Sequence, residues 1–169
     1  MANIAARIRV VIARLCQPGS LREGSVRAVA QSPRALAVIR NGPDRDTLQG
    51  VFRDAGWQLE VADTPAAAFA NRQEKSAPIV LYERELTERG WRQAMSVFSR
   101  LSPRPCVVLL SRTSDMNLWD ELVRCGGFDL LRIPIDRDAV IRTVRAGWSV
   151  WQGQQPRRQP AAKKVVASS

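Results

Sequence analysis

Residues 104–136, RPCVVLLSRTSDMNLWDELVRCGGFDLLRIPID, read as strand, helix and strand in quick succession. Cys106-Val107-Val108-Leu109-Leu110 is a continuous apolar run, the pattern of a strand buried on both faces. Asp115 to Cys125 has helical spacing, and Gly126-Gly127 ends it. Phe128 to Leu131 is a short strand. Asp136 then caps a last helix that reaches about Trp151. On that helix Val140, Val144, Trp148 and Trp151 fall on one face. A helix between two such strands is the crossover of a parallel sheet.

Upstream the same alternation repeats. Leu36-Ala37-Val38-Ile39 is an apolar run, followed by the turn Asn41-Gly42-Pro43. A helix follows from Asp44 to Ala55, with Leu48, Val51, Phe52 and Ala55 as its apolar face and Gly56 as its stop. Gln58 to Ala62 alternates as a strand, with Trp57 in the core at its start. Thr64 and Pro65 open a helix running to about Glu74. Ile79 to Tyr82 is the third strand, and Trp91 to Leu101 the third helix. Five strands alternating with five helices predict an α/β fold, a doubly wound parallel sheet of order 2-1-3-4-5. In such sheets the working crevice lies at the carboxyl ends of the strands. Arg40 and Asn41, Glu83, Ser111, and Ile133-Pro134 fall there.

The flanks differ in composition. The chain has 169 residues and a net charge of +10. Residues 1–36 carry +5, residues 37–151 only +1, and residues 152–169 carry +4. Ile4, Ile8, Val11, Ile12 and Leu15 form one stripe of an extra N-terminal amphipathic helix over 2–16, with Arg7, Arg9 and Arg14 off the stripe. Residues 17–33 read as a Pro/Gly/Ser-rich linker. Residues 152–169, with Arg157, Arg158, Lys163 and Lys164, read as a basic disordered tail. The domain between them spans 34–151.

Composition also excludes chemistry. The chain has no histidine, which removes a Ser-His-Asp triad, a histidine zinc site and a phosphohistidine carrier. Cys16, Cys106 and Cys125 are far apart, so neither a metal ribbon nor a disulfide framework is expected, and the thiols read as reduced. No apolar run is long enough to span a bilayer, and the N-terminal arginines interrupt any secretory signal. A cytoplasmic location is expected. The turn Asn41-Gly42-Pro43 has a single glycine and the chain has no G-x-S-x-G, so an enzyme is not expected.

The pieces LAVIRNGPDRDTL, DAGWQLEVADTPAAAFA, APIVLYE, RPCVVLLS and CGGFDLLRIPID, in that order, resemble the receiver domain of bacterial two-component response regulators. The resemblance covers roughly residues 35–150. It implies a flavodoxin-like fold, phosphorelay signalling, and a phosphorylation site at the crevice. Where the family has two Mg²⁺-binding acids, this chain has Arg40 and Asn41. Glu83 stands at the phosphoacceptor Asp, and Ser111 keeps the Ser/Thr position. Ile133 stands at the Lys before the retained Pro134, and Leu130 at the aromatic switch residue. The resemblance also suggests a cis Ile133–Pro134 bond. Leu86-Thr87 replaces the usual Met/Leu-Pro pair in the loop Arg84–Gly90.

A degenerate site follows. Phosphoryl transfer to a carboxylate needs a divalent cation, and Arg40 would repel one. Arg40 and Glu83 are expected to pair across the vacated metal position, with Ser111 bonding to the same carboxylate. The charged run Glu83, Glu85 and Glu88, interleaved with Arg84 and Arg89, is expected to be a solvated loop and not a metal cluster. No cofactor is expected. The resemblance places a partner face on the fourth helix, fifth strand and fifth helix, where Trp119, Val123, Leu130, Arg142 and Arg145 would serve, with Trp119 exposed. Partners would be a sensor kinase, another regulator or a second copy as a homodimer. An alternative is that the basic arms bind nucleic acid or anionic membrane through charge.

Overall fold

The computed structural model describes residues 32–70, 77–86 and 90–154. The helix expected over 2–16, nearly all of the linker, and the arm residues Arg7, Arg9, Arg14, Arg157, Arg158, Lys163 and Lys164 lie outside them.

The elements follow in the expected sequence: β1 (Arg34–Val38), α1 (Pro43–Asp54), β2 (Gln58–Ala62), α2 (Pro65–Ala70), β3 (Ile79–Glu83), a 3₁₀ turn (Arg84–Leu86), α3 (Gly90–Ser99), β4 (Cys106–Ser111), α4 (Met116–Arg124), β5 (Asp129–Arg132) and α5 (Arg137–Gln154). The strands form one parallel sheet in the order β2-β1-β3-β4-β5. Ala37 sits beside Val61 on one side and Leu81 on the other, which places β1 and β3 together at the centre. Every residue of β3 and β4 is buried, as a strand covered on both faces requires.

Two cores line the sheet, and alternation along the strands assigns residues to them. Ala35, Ala37, Ile79, Leu81, Val108 and Leu110 face α1 and α5, where Leu48, Phe52, Val140, Val144, Trp148 and Trp151 close the layer. Leu36, Val38, Val80, Tyr82, Val107 and Leu109 face the other side, against Trp91, Met95, Phe98, Leu118 and Leu122.

Local chemistry places the helix ends. Gly42 precedes α1 with φ of 153°, a backbone region that side chains disfavour, and so aims Pro43 into the first helical position. Asp115 caps α4 by accepting from Leu118 N at 2.7 Å. Asp136 accepts from Asp138 N and Ala139 N at the start of α5.

Three expectations need correction. Ala55 is exposed: it is the C-terminal cap of α1, still bonded through its N–H to the Val51 carbonyl, but it lies past the buried stripe of Leu48, Val51 and Phe52. Residues 152–154, assigned to the tail, complete α5, whose stacked Trp148 and Trp151 (ring centroids 5.4 Å apart) hold that end of the helix on the core. Trp57 lies before β2 and is only partly buried, packing edge-on against Phe52 at 5.6 Å.

One buried carboxyl ties β5 to α5. Asp129 accepts from Thr143 Oγ1 at 2.7 Å and from Leu130 N at 2.8 Å. Burial pushes its pKa up, and those two hydrogen bonds only partly oppose the shift. An acid with a raised folded pKa binds its proton more tightly in the native state. Its favourable contribution is therefore complete below the usual carboxylate range and is lost as pH rises through the raised value. Asp129→Asn removes that titration. Melting curves at pH 4 and pH 7.5 should show the variant gaining on the wild type between the two; a pH-independent difference would refute the assignment.

Candidate functional site

The carboxyl ends of β1, β3, β4 and β5 surround an open cleft of about 290 Å³. Arg40, Asn41, Asp44, Glu83, Arg112 and Pro134 are among the residues lining it. The sheet carries Glu83 to the end of β3, where the side chain is 2% exposed. A buried carboxylate requires a partner.

Arg40 is that partner. Its Nε lies 2.9 Å from Glu83 Oε1, and its backbone N–H donates to Glu83 Oε2 at 3.0 Å. The expected ion pair is present, and it engages both carboxylate oxygens. The Arg40 side chain remains 53% exposed, and its Nη2 donates to the carbonyl of Glu85. Arg40 thereby ties the end of β1 to the 3₁₀ turn.

Ser111 departs from expectation. Its Oγ donates to Glu85 Oε1 at 3.0 Å and not to Glu83, because Arg40 has already engaged Glu83 and the 3₁₀ turn brings Glu85 over the end of β4. Glu85 Oε1 also accepts from Arg112 N at 3.2 Å. Glu85 Oε2 is buried without a hydrogen-bond partner among the described residues. The loop is thus not simply solvated: Glu83 and Glu85 are both drawn in, and Glu88 lies outside the described residues.

Ile133 is buried in the core and donates its N–H to Ser111 O at 2.9 Å; it presents nothing chemical to the cleft. Pro134 follows it through a cis bond, and Ser102–Pro103 is a second cis bond. Asn41 is exposed at the cleft. Asp44 was not singled out from the sequence. It accepts from Ile135 N at 2.9 Å across the cleft, joining α1 to the β5–α5 connection. An acid in the first turn of a helix that opens at the crevice was the available clue.

The Mg²⁺ that the receiver resemblance implies does not fit these residues. Arg40 stands where an acid would coordinate, and its charge opposes a cation there. Among the described residues no three His, Cys, Asp or Glu side chains are grouped to hold a metal ion.

On the expected partner face, Val123 is 49% exposed, while Leu130 and Trp119 are half-buried against the core. Trp119 is therefore less exposed than expected, since its ring packs on the α3–α4 layer. Arg142 is exposed and lies 3.8 Å from Asp136. Arg145 is turned away. It lies over the Trp57 ring beside β2, on the opposite flank of α5 from Thr143, which faces β5.

No protein-family model matches the chain, and no curated protein matches it. Solved structures do match. A response regulator from Thermotoga maritima superposes with a TM-score of 0.65 at 18% identity, over 70% of this chain and 99% of that one. The signal receiver domain of an HD-domain-containing protein from Pseudomonas fluorescens Pf-5 gives 0.65 at 16% identity, over 73% and 99%. The chemotaxis response regulator CheY4 of Vibrio cholerae gives 0.63 at 16% identity, over 69% and 99%. The chain has the response-regulator receiver fold. At these identities the likeness is one of fold, and the receiver fold here carries Arg40 and Glu83 at its crevice. No helix among the described residues is long and apolar enough to cross a membrane.

Proposed function

We propose that this chain is a receiver that works without phosphorylation, as a protein-interaction module in two-component signal transduction. The observation that carries this reading is the Arg40–Glu83 pair. Arg40 engages both oxygens of the carboxylate that stands at the phosphoacceptor position. A carboxylate held this way is a weak nucleophile, and one extra methylene moves its oxygen off the productive place. Arg40 is committed to Glu83 and its charge opposes the divalent cation that phosphoryl transfer to a carboxylate needs. The chain on this reading binds and does not catalyse. Its partner is a sensor kinase, another regulator or a second copy. The surface best suited to them is α4 and β5, where Met116 and Val123 are exposed and Trp119 and Leu130 are half-buried beside them.

The test uses the full chain, Mg²⁺ and beryllofluoride, a phosphoryl analogue. A ligand that bound the native state at 100 times its Kd would add about 2.7 kcal/mol of stability, which is several degrees in Tm. The expected change is below about 1 °C. Partner capture should likewise be equal with and without the two reagents. A rise of several degrees, or capture that depends on them, would overturn the reading.

A second reading is favoured by the charge distribution alone. Nearly all of the +10 resides in residues 1–36 and 152–169, so the arms could hold nucleic acid or an anionic membrane with the receiver fold as carrier. Its mark is binding that collapses with added salt.

A further inference from the structure

The 3₁₀ turn is held on its β1 side by Arg40, which donates to the Glu85 carbonyl, and on its β4 side by a different device. Ser111 is fully buried, so its hydroxyl needs partners. It donates to Glu85 Oε1 at 3.0 Å and accepts from Thr113 N at 3.2 Å. Glu85 Oε1 also takes Arg112 N at 3.2 Å, and Arg84 Nη1 donates to Thr113 Oγ1 at 2.7 Å. The connection from β4 to α4 is thus bonded at each residue from Ser111 to Thr113, and Asp115 caps the helix that follows.

That connection matters because the core grips α4 lightly. The helix has nine residues, and only Leu118 and Leu122 are buried. Trp119 is half-buried, and a surface Arg92–Glu121 bridge joins α4 to α3. Such a helix takes much of its position from its N-terminal connection. Glu85 is also an imperfect clasp, since its Oε2 is buried without a hydrogen-bond partner among the described residues. An unpartnered buried oxygen offsets part of what the other oxygen contributes. Glu85 thus holds the β4–α4 connection through one oxygen only.

We propose that Glu85 is a tether built into the fold, which sets the position of α4 and whose release frees the β4–α4 connection and α4 together while the sheet stays intact. The use to which this is put, display of the Met116 and Val123 face in one arrangement, rests on the interaction-module reading; the tether itself does not. A positional device of this kind needs no phosphoryl group, because the carboxylate that gathers the β4–α4 amide and hydroxyl is supplied by the chain.

Amide hydrogen exchange on the full chain, with no partner present, tests the tether separately from any binding. Glu85→Ala is expected to speed exchange across residues 112–124 by about tenfold or more, with β1 and β3 unchanged. Glu85→Gln keeps an oxygen for both donors and should stay within about threefold of wild type. Ser111→Ala is the second variant, expected to speed the same stretch, and it carries the test if Glu85→Ala does not fold. Unchanged exchange over 112–124, or an equal rise in β1 and β3, would overturn the proposal. So would a Glu85→Gln variant as fast as Glu85→Ala, since charge and not hydrogen bonding would then hold the loop.

Discussion

Arg40→Ala is expected to lower stability by about 2 kcal/mol, a fall in Tm of roughly 6–10 °C for a domain of this size. Glu83 is buried at the end of a central strand and would keep only the Arg40 backbone N–H. Breaking a fully buried pair costs about 3–5 kcal/mol, but Arg40 is half exposed, so water screens part of the loss. The variant also loses the Arg40 bond to the Glu85 carbonyl, which anchors the 3₁₀ turn. Arg40→Lys keeps the charge without the two-point grip and should recover less than half of the loss. Glu83→Gln should cost less than Arg40→Ala, because an amide oxygen can still accept from the backbone and no charge is left buried. Thermal and urea melts of the three variants check the order. A Tm for Arg40→Ala within 1 °C of wild type would show that the pair is a surface contact of little weight.

Leu122→Ala should cost about 3 kcal/mol, by the transfer and cavity terms of a fully buried leucine. Gly127→Ala should cost about 2 kcal/mol for the opposite reason. A Cβ built on Gly127 would lie 2.2 Å from Leu122 Cδ1 and 3.2 Å from the Leu122 carbonyl oxygen. Leu122 is enclosed and cannot swing aside, and the Gly127 N–H bond to its carbonyl, 2.8 Å, holds the backbones together. The two substitutions act on one space, so the double variant should cost about 1 kcal/mol less than the sum. A double-mutant cycle in urea measures that difference. Additivity within about 0.5 kcal/mol would place the strain elsewhere.

The sheet was readable from the chain because its signals are local. Unbroken apolar runs at 79–82 and 106–110 mark central strands. Pro65, Asp115 and Asp136 mark helix starts, and the structure places the starts there, while α1 begins at Pro43, one residue before the expected Asp44. Boundaries drifted where no strong signal stood: Gln152 to Gln154 look like tail by composition, yet a helix already held by two tryptophans continues through them. Pairing of Arg40 with Glu83 was also readable, because strand order and the parallel register place both residues at one edge of adjacent strands.

The partner of Ser111 was not readable. Position in the strand put Ser111 at the crevice, but two carboxylates lay within reach, and only the 3₁₀ turn after β3 aims Glu85 at it. The same holds for Asp44 with Ile135, 91 residues apart, and for Arg145, whose flank of α5 depends on how that helix rolls on the sheet. Hydrophobic periodicity is written into consecutive residues and survives any rearrangement of loops, so order, layers and core could be read from it. Hydrogen-bond partners depend on ångström-scale placement of loops that carry no period, and only the folded chain supplies that placement.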